Sequence, residues 1–538
     1  MIHTTLAVPV LTVALALVLA ATAGCVQQSP AAGPPGVSEV SQYGITWHFD
    51  RPVRAGRFIT GDWWVIGPVT VTHTTPQAGP ADAAEAAVDT GTNRWGDTSL
   101  RNDTRMRNGS MIVLTATQRQ GYDSRSQTYD PKLSVTFPVT VEPSRSLVST
   151  ISAPPVRRNS LAHKIMWDEE KKGGTVLDAA AVLTVLAAEP PADAFRPCYA
   201  GTDKRIYRAQ DLRWDLLQRL PAPAVDPKAY LPYYEIRLPD DWAEAERWFQ
   251  RPWIDHMCNW MQQQLNPCQN SPAYGREHAR LVSMASLLLH LDVPDDRKRP
   301  LLTGLVQYGI DTSGVAKVGG SWNWGGGHTS GRKWPMVFAS LMLDDPALRE
   351  VPDTCVFHED AQTYYGTGWA GQTALYWMVQ HHGQRDRYEE KSPEQWTRWD
   401  RSSESYRLCC NGRAWAGTAL AARLCGAVAA WNHDAFFDYV DRTMAAEDAY
   451  AAHRGRHRRP DMEGGTFDPF VDAMWRAYRE QAPAQSMAGN PRMFVWTGDN
   501  YAYTWVANPK PTDEQVAAHL AEVRAARDAA AGEARAEE

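Results

Sequence analysis

The hydrophobic period of this chain changes once along its length, and that change limits the available folds more than any other feature. Between Tyr43 and Ile151 apolar residues come in short alternating or β-branched runs, at 44–49, 63–66, 69–72, 111–114 and 133–137, separated by Gly, Pro, Asn and Asp. A period of two in such runs predicts strands and a small β-sandwich-like domain. After Pro154-Pro155 the apolar residues fall at helical spacing over 175–188, 276–291, 299–309, 334–343, 369–382, 414–430, 433–446 and 468–480. That spacing predicts a mainly α body, most simply a ring of helical hairpins with function on its loops. With 538 residues the chain exceeds the usual size of a single core. The expected division is a leader at 1–24, a Pro- and Ser-rich tether at 25–40, the β-sandwich-like domain at 41–155, the helical body at 156–510 and a charged helix at 511–538.

The leader contains no Lys, Arg, Asp or Glu, and its apolar run from Leu6 to Ala21 ends in Thr22-Ala23-Gly24-Cys25. This predicts a cleaved export signal. The small-small-Cys ending resembles the lipobox of bacterial lipoproteins, which implies lipidation at Cys25 and anchoring to the cell envelope, at the outer membrane or cell surface. The net charge of -7 then belongs to the mature chain and argues against nucleic-acid partners. Seven cysteines follow Cys25 with no C-x-x-C pair and no zinc spacing, which leaves room for one or two disulfides but no disulfide framework. His381 and His382 are adjacent rather than one helical turn apart, and neither H-E-x-x-H nor G-x-S-x-G occurs. No metal or cofactor is expected, and the sequence sets no oligomeric state.

Of 22 tryptophans, 18 follow residue 160. Trp322 and Trp324 sit outside any periodic stripe, in the loop Ser321-Trp322-Asn323-Trp324-Gly325-Gly326-Gly327-His328-Thr329-Ser330-Gly331-Arg332. Flat aromatic faces beside Asn, His and Arg suit sugar rings and their carboxylates. The loop also brushes the phosphate-loop pattern, but Arg332 and Lys333 stand where that motif needs Lys and Ser or Thr. A second loop carries His358, Glu359, Asp360, Tyr364 and Tyr365; a third carries Tyr406, Arg407, Cys409, Cys410 and Asn411; Tyr274 and Arg276 open the helix at 276. Each gathers polar and aromatic groups at an expected helix N-terminus, which favours an anionic ligand.

These loops, with the helical stretch from Ala421 to Arg442, resemble the secreted polysaccharide lyases built on an (α/α) toroid, of the alginate-lyase-like and heparinase-like kinds. The likeness covers roughly residues 190–505; in those families a β domain often follows the toroid, whereas here it comes first. The resemblance implies β-elimination on a uronic-acid-containing polysaccharide, with an acidic polysaccharide or oligosaccharide as partner. Such a site must neutralise the sugar carboxylate, remove the C5 proton and protonate the departing O4. Asn323 and Arg332 are the candidates to neutralise, His328 is the candidate base, and Tyr406 or Tyr365 the acid, with the last two roles exchangeable; His358 is a further catalytic candidate. Trp322, Trp324, Tyr274, Arg276, Glu359, Arg407 and Asn411 are the candidate substrate-binding residues. Two alternatives stand beside this reading. One is a glycoside hydrolase on a helical toroid, drawing two carboxylates from Glu359, Asp360, Asp255 and Glu463; the other is a non-catalytic glycan-binding lipoprotein.

Overall fold

In the computed structural model the described residues are 36–82, 100–157, 165, 175–230, 234–323, 325–378, 387–451, 466–483, 485–497 and 503–536. The leader, Cys25, Trp324, His381, His382 and Glu463 lie outside them. Residues from Gly36 onward form one compact unit.

The N-terminal strands are β1 (Val37–Gln42), β2 (Ile45–Val53), β3 (Ala55–Arg57), β4 (Trp63–Ile66), β5 (Val69–Thr75), β6 (Ser110–Met111), β7 (Val139–Val141), β8 (Arg145–Arg157) and β9 (Thr175–Leu186). They form two sheets, in the orders β1-β2-β5-β7 and β3-β4-β9-β8-β6, with β4 and β9 parallel. The first strand thus begins inside the stretch read as a tether. In β2 the alternation turns Ile45, Trp47 and Phe49 inward. Trp47 is fully buried and donates from its indole N–H to Ser149 Oγ of β8 at 2.9 Å, tying the two sheets together.

β9 corrects the helix expected at 175–188. It is buried on both faces: Ala181, Leu183 and Val185 join the core between the sheets, while Val176, Ala180 and Val182 join a second core with Met257, Val315 and Trp322. A strand covered on both sides reads as a continuous apolar run, and periodicity cannot distinguish such a run from a buried helix.

The helices are α1 (Trp242–Phe249), α2 (Gly275–Leu289), α3 (Asp295–Lys317), α4 (Lys333–Met342), α5 (His358–Gln362), α6 (Arg398–Tyr406), α7 (Gly412–Leu424), α8 (Val428–Trp431), α9 (Asp434–Ala451), α10 (Pro469–Tyr478) and α11 (Asp513–Ala536). Five of the expected helical segments coincide with α2, α3, α4, α9 and α10, and a sixth is divided between α7 and α8. The described part of the helix expected at 369–382, residues 369–378, is not helical: β10 (Thr363–Tyr365) and β11 (Ala374–Tyr376) make a hairpin there, turned through Gly371 at φ 89°. A further hairpin joins β12 (Arg492–Trp496) and β13 (Tyr503–Ala507).

The mainly α toroid is therefore not the fold. With 38% helix, 20% strand and four sheets among the described residues, this is a mixed α/β protein. Every residue of α2 except Arg276 is buried, and α2 packs against α3, α7 and α10, so a helix lies at the centre of the body. The C-terminal helix opens on a reciprocal capping pair: Thr512 N–H donates to Gln515 Oε1 at 2.9 Å, and Gln515 N–H to Thr512 Oγ1 at 3.3 Å. Among the described residues no helix is long and apolar enough to cross a membrane.

Candidate active site

Three stretches meet at the N-terminus of α2. The glycine loop ahead of α4 approaches the turn after α6 so closely that a Cβ on Gly327 would lie 2.8 Å from Cys410 Cβ and 3.0 Å from Tyr274 Oη. Gly327 also holds φ 86°, so only glycine suits this position. A Cβ on Gly275 would lie 2.3 Å from the His328 carbonyl oxygen, which places His328 over the first residue of α2. Tyr274 Oη donates to the Gly326 carbonyl, and the ring of His328 stands edge-on to Tyr274, centroids 4.9 Å apart.

The third stretch is a π-turn, Arg407–Asn411, between α6 and α7. Wide turns of this kind often occur where function needs a backbone displacement. Arg276 Nη1 donates to the Cys409 carbonyl at 2.6 Å, fastening the turn to α2, while Arg276 Nε donates to Glu277 at 2.5 Å. Tyr406 is half-buried where α6 runs into the turn, and its phenol is pushed up to about 12 by burial and by the neighbouring Cys410 and Cys409 thiols. Burial raises the Tyr274 phenol well above its usual range, with Cys410, Cys409 and Tyr406 adding to the effect. His328, Tyr274 and Tyr406 therefore share one neighbourhood, with His328 and Tyr406 half-buried and Tyr274 beneath them.

Other candidates belong to the scaffold. Arg332 is 0% exposed; its Nη2 donates to Asp255 Oδ1 at 2.9 Å and its Nη1 to the Ser330 carbonyl at 2.7 Å. Tyr308 Oη also donates to Asp255, at 2.7 Å. Burial works to raise the Asp255 carboxyl, but Arg332, His278 and these hydrogen bonds outweigh it and hold the group below the usual carboxylate range. Arg332 is thus a structural partner rather than a free clamp for a sugar carboxylate. Trp322 is likewise no platform: it is fully buried and stacked on Phe357 at 5.5 Å.

His358 is sealed, its Nε2 2.8 Å from Asn411 Oδ1, and Asn411 Nδ2 donates to Tyr376 Oη at 2.8 Å. Tyr365 Oη donates to Asp438 on α9 at 2.9 Å, and Arg407 pairs with Glu404 at 2.7 Å. Glu359 accepts the Gly331 N–H at 2.5 Å, and burial pushes its carboxyl up to about 7. Asp360 is ion-paired with Lys333. Asn323 is half-buried at the edge of the glycine loop.

No disulfide joins the described cysteines, and no cluster of three His, Cys, Asp or Glu suited to a metal occurs among the described residues. Sequence reasoning missed the thiol pair, whose sulfurs lie 2.7 Å apart within electrostatic reach of Tyr406, and the anchoring of the π-turn by Arg276. The Cys409-Cys410 doublet was the available signal, while nothing in the sequence marks a π-turn. Comparison with protein-family models, curated proteins and solved structures returns no match.

Proposed function

We propose that the chain acts on a uronic-acid-containing polysaccharide by β-elimination, at the rim formed by Tyr274, His328 and Tyr406. The observation that carries this reading is the meeting of one imidazole and two phenols, from three separate stretches, around the N-terminus of α2. In the proposed reaction His328 takes the C5 proton. The electron pair of that C–H bond becomes the C4=C5 double bond as the C4–O4 bond breaks, and O4 leaves with a proton from Tyr406. A phenol with a raised pKa stays protonated at neutral pH, as a donor must. Tyr274, held by the Gly326 carbonyl, orients the imidazole. With Arg332 committed to Asp255, and Arg276 to Glu277 and the Cys409 carbonyl, the candidate that faces the sugar carboxylate is Asn323, half-buried at the edge of the glycine loop.

The hydrolase alternative has lost two of its four carboxylates, because Asp255 and Asp360 are each committed to a cation. The test is to incubate the protein with alginate, glucuronan, pectate and glycosaminoglycans and follow ultraviolet absorbance. A rise from unsaturated products with at least one polymer is expected. Reducing ends without absorbance would replace this reading with hydrolysis, and binding without turnover would replace it with glycan recognition. Lipid anchoring at Cys25 is part of the same proposal, and Cys25→Ser should move the protein from the membrane fraction to the soluble one.

A further inference from the structure

Away from the rim, a cavity of about 590 Å³ opens between the start of α4, the loop after Leu348, the α8–α9 turn and the hairpin of β12 and β13. Its volume falls within the range of small-molecule sites, roughly 300–1,000 Å³. Phe357, Trp431 and Trp505 contribute apolar wall, and its charged lining is Lys333, Arg349, Arg492, Glu350 and Asp360.

These charges do not cancel. Lys333 and Asp360 form a buried pair, and Asp360 also accepts the Trp431 indole N–H at 2.9 Å, so both its oxygens are engaged. Arg349 donates to Ser340 Oγ at 2.6 Å and has no carboxylate partner among the described residues. Arg492 lies over the Trp505 ring at 4.5 Å; its Nε is buried without a hydrogen-bond partner, and it too lacks a carboxylate among the described residues. The positive field of Arg492 reaches Lys333, where it adds to burial in lowering the ammonium pKa. Like charges gathered in a partly desolvated cavity cost free energy that an anion would recover. Among the described lining residues only Glu350, which is exposed, stands against Arg349 and Arg492, so the described lining carries one surplus positive charge.

We propose that this cavity binds a small monoanion, a carboxylate carried on a ring, with Arg492 and Arg349 gripping the carboxylate and the aromatic wall covering the ring. One surplus charge matches a monocarboxylate better than a dianionic phosphate, and the apolar wall favours a ring over a bare inorganic ion. This site stands apart from the rim and holds whether or not the chain cleaves a polymer.

Calorimetric titration of the full chain with glucuronate, benzoate, glucose and inorganic sulfate tests it. Glucuronate or benzoate should bind saturably at one site, at least about tenfold more tightly than glucose or sulfate; the two carboxylates distinguish a sugar acid from an aryl acid. Arg492→Gln should weaken that binding about ten- to hundredfold, the usual worth of a hydrogen bond to a charged group. Arg349→Gln offers a second, independent loss, with thermal melts confirming that each variant is folded. Equal affinity for glucose, binding of sulfate alone, or carboxylate binding unchanged in both folded variants would overturn the proposal.

Discussion

Arg332 and His328 stand four residues apart in one loop, yet they belong to different regions. Arg332 points into a sealed network with Asp255 and Tyr308, whereas His328 lies half-buried on a rim with Tyr274 and Tyr406. Both are polar residues of a Gly-rich loop, and sequence gives them equal standing. Burial separates them: a charge wholly withdrawn from water is stable only with its partner, while a half-buried imidazole can still exchange a proton with a ligand.

The largest expected effect sharpens this contrast. Arg332→Ala would leave Asp255 as an uncompensated buried charge and should cost about 3–5 kcal/mol of stability, read from urea unfolding. His328→Ala should cost roughly 1 kcal/mol or less, since it removes a half-buried ring without stranding a charge. Equal losses from the two would erase the distinction.

A smaller effect comes from buried titrating groups. Burial pushes His256 down to about 4, and His278 and His290 down to about 3, each staying neutral in the fold. Below an unfolded value of roughly 6.5 the unfolded chain binds these protons and the folded chain does not, so their contribution to stability falls as pH falls. Glu359 works in the opposite sense: raised to about 7, it binds a proton in the folded state that the unfolded chain lacks above roughly 4.5. Its stabilising contribution is complete below that lower value and is lost as pH rises through 7. Between pH 6 and pH 5 these imidazoles, joined by His433, which burial also holds down, outnumber the Glu359 carboxyl, and the balance favours unfolding by about 3–4 kcal/mol per pH unit. Urea titrations across this range should show stability declining with acid, and Glu359→Gln should steepen the decline. Stability that stayed flat or rose would show that these groups are open to solvent.

Much of the helical body was legible because the apolar residues of α2, α3, α4, α9 and α10 recur at helical spacing over ten residues or more, even where, as in α2 and α4, nearly every position is buried. β9 and the β10–β11 hairpin were not, because Val182, Leu183, Ala374, Leu375 and Tyr376 are all buried and a run apolar on every face loses its period. For the site, the sequence located the loops that meet, through the glycines that permit close approach. It could not assign partners: Asp255 lies 77 residues from Arg332, and Asn411 lies 53 from His358. Ion pairs and hydrogen bonds over such separations leave no local pattern, so scaffold polar groups passed for site residues. The cation-lined cavity was invisible for the same reason, since Arg349 and Arg492 come together only in the fold.

The most direct test is Tyr406→Phe, with kcat/KM measured on whichever acidic polymer yields unsaturated product and unfolding followed on the same sample. Loss of a proton donor should lower kcat/KM by about 10²–10⁴-fold while stability stays within about 0.5 kcal/mol, because the ring keeps its packing. An unchanged kcat/KM, or activity and stability falling together, would contradict the assignment of the rim as the seat of chemistry.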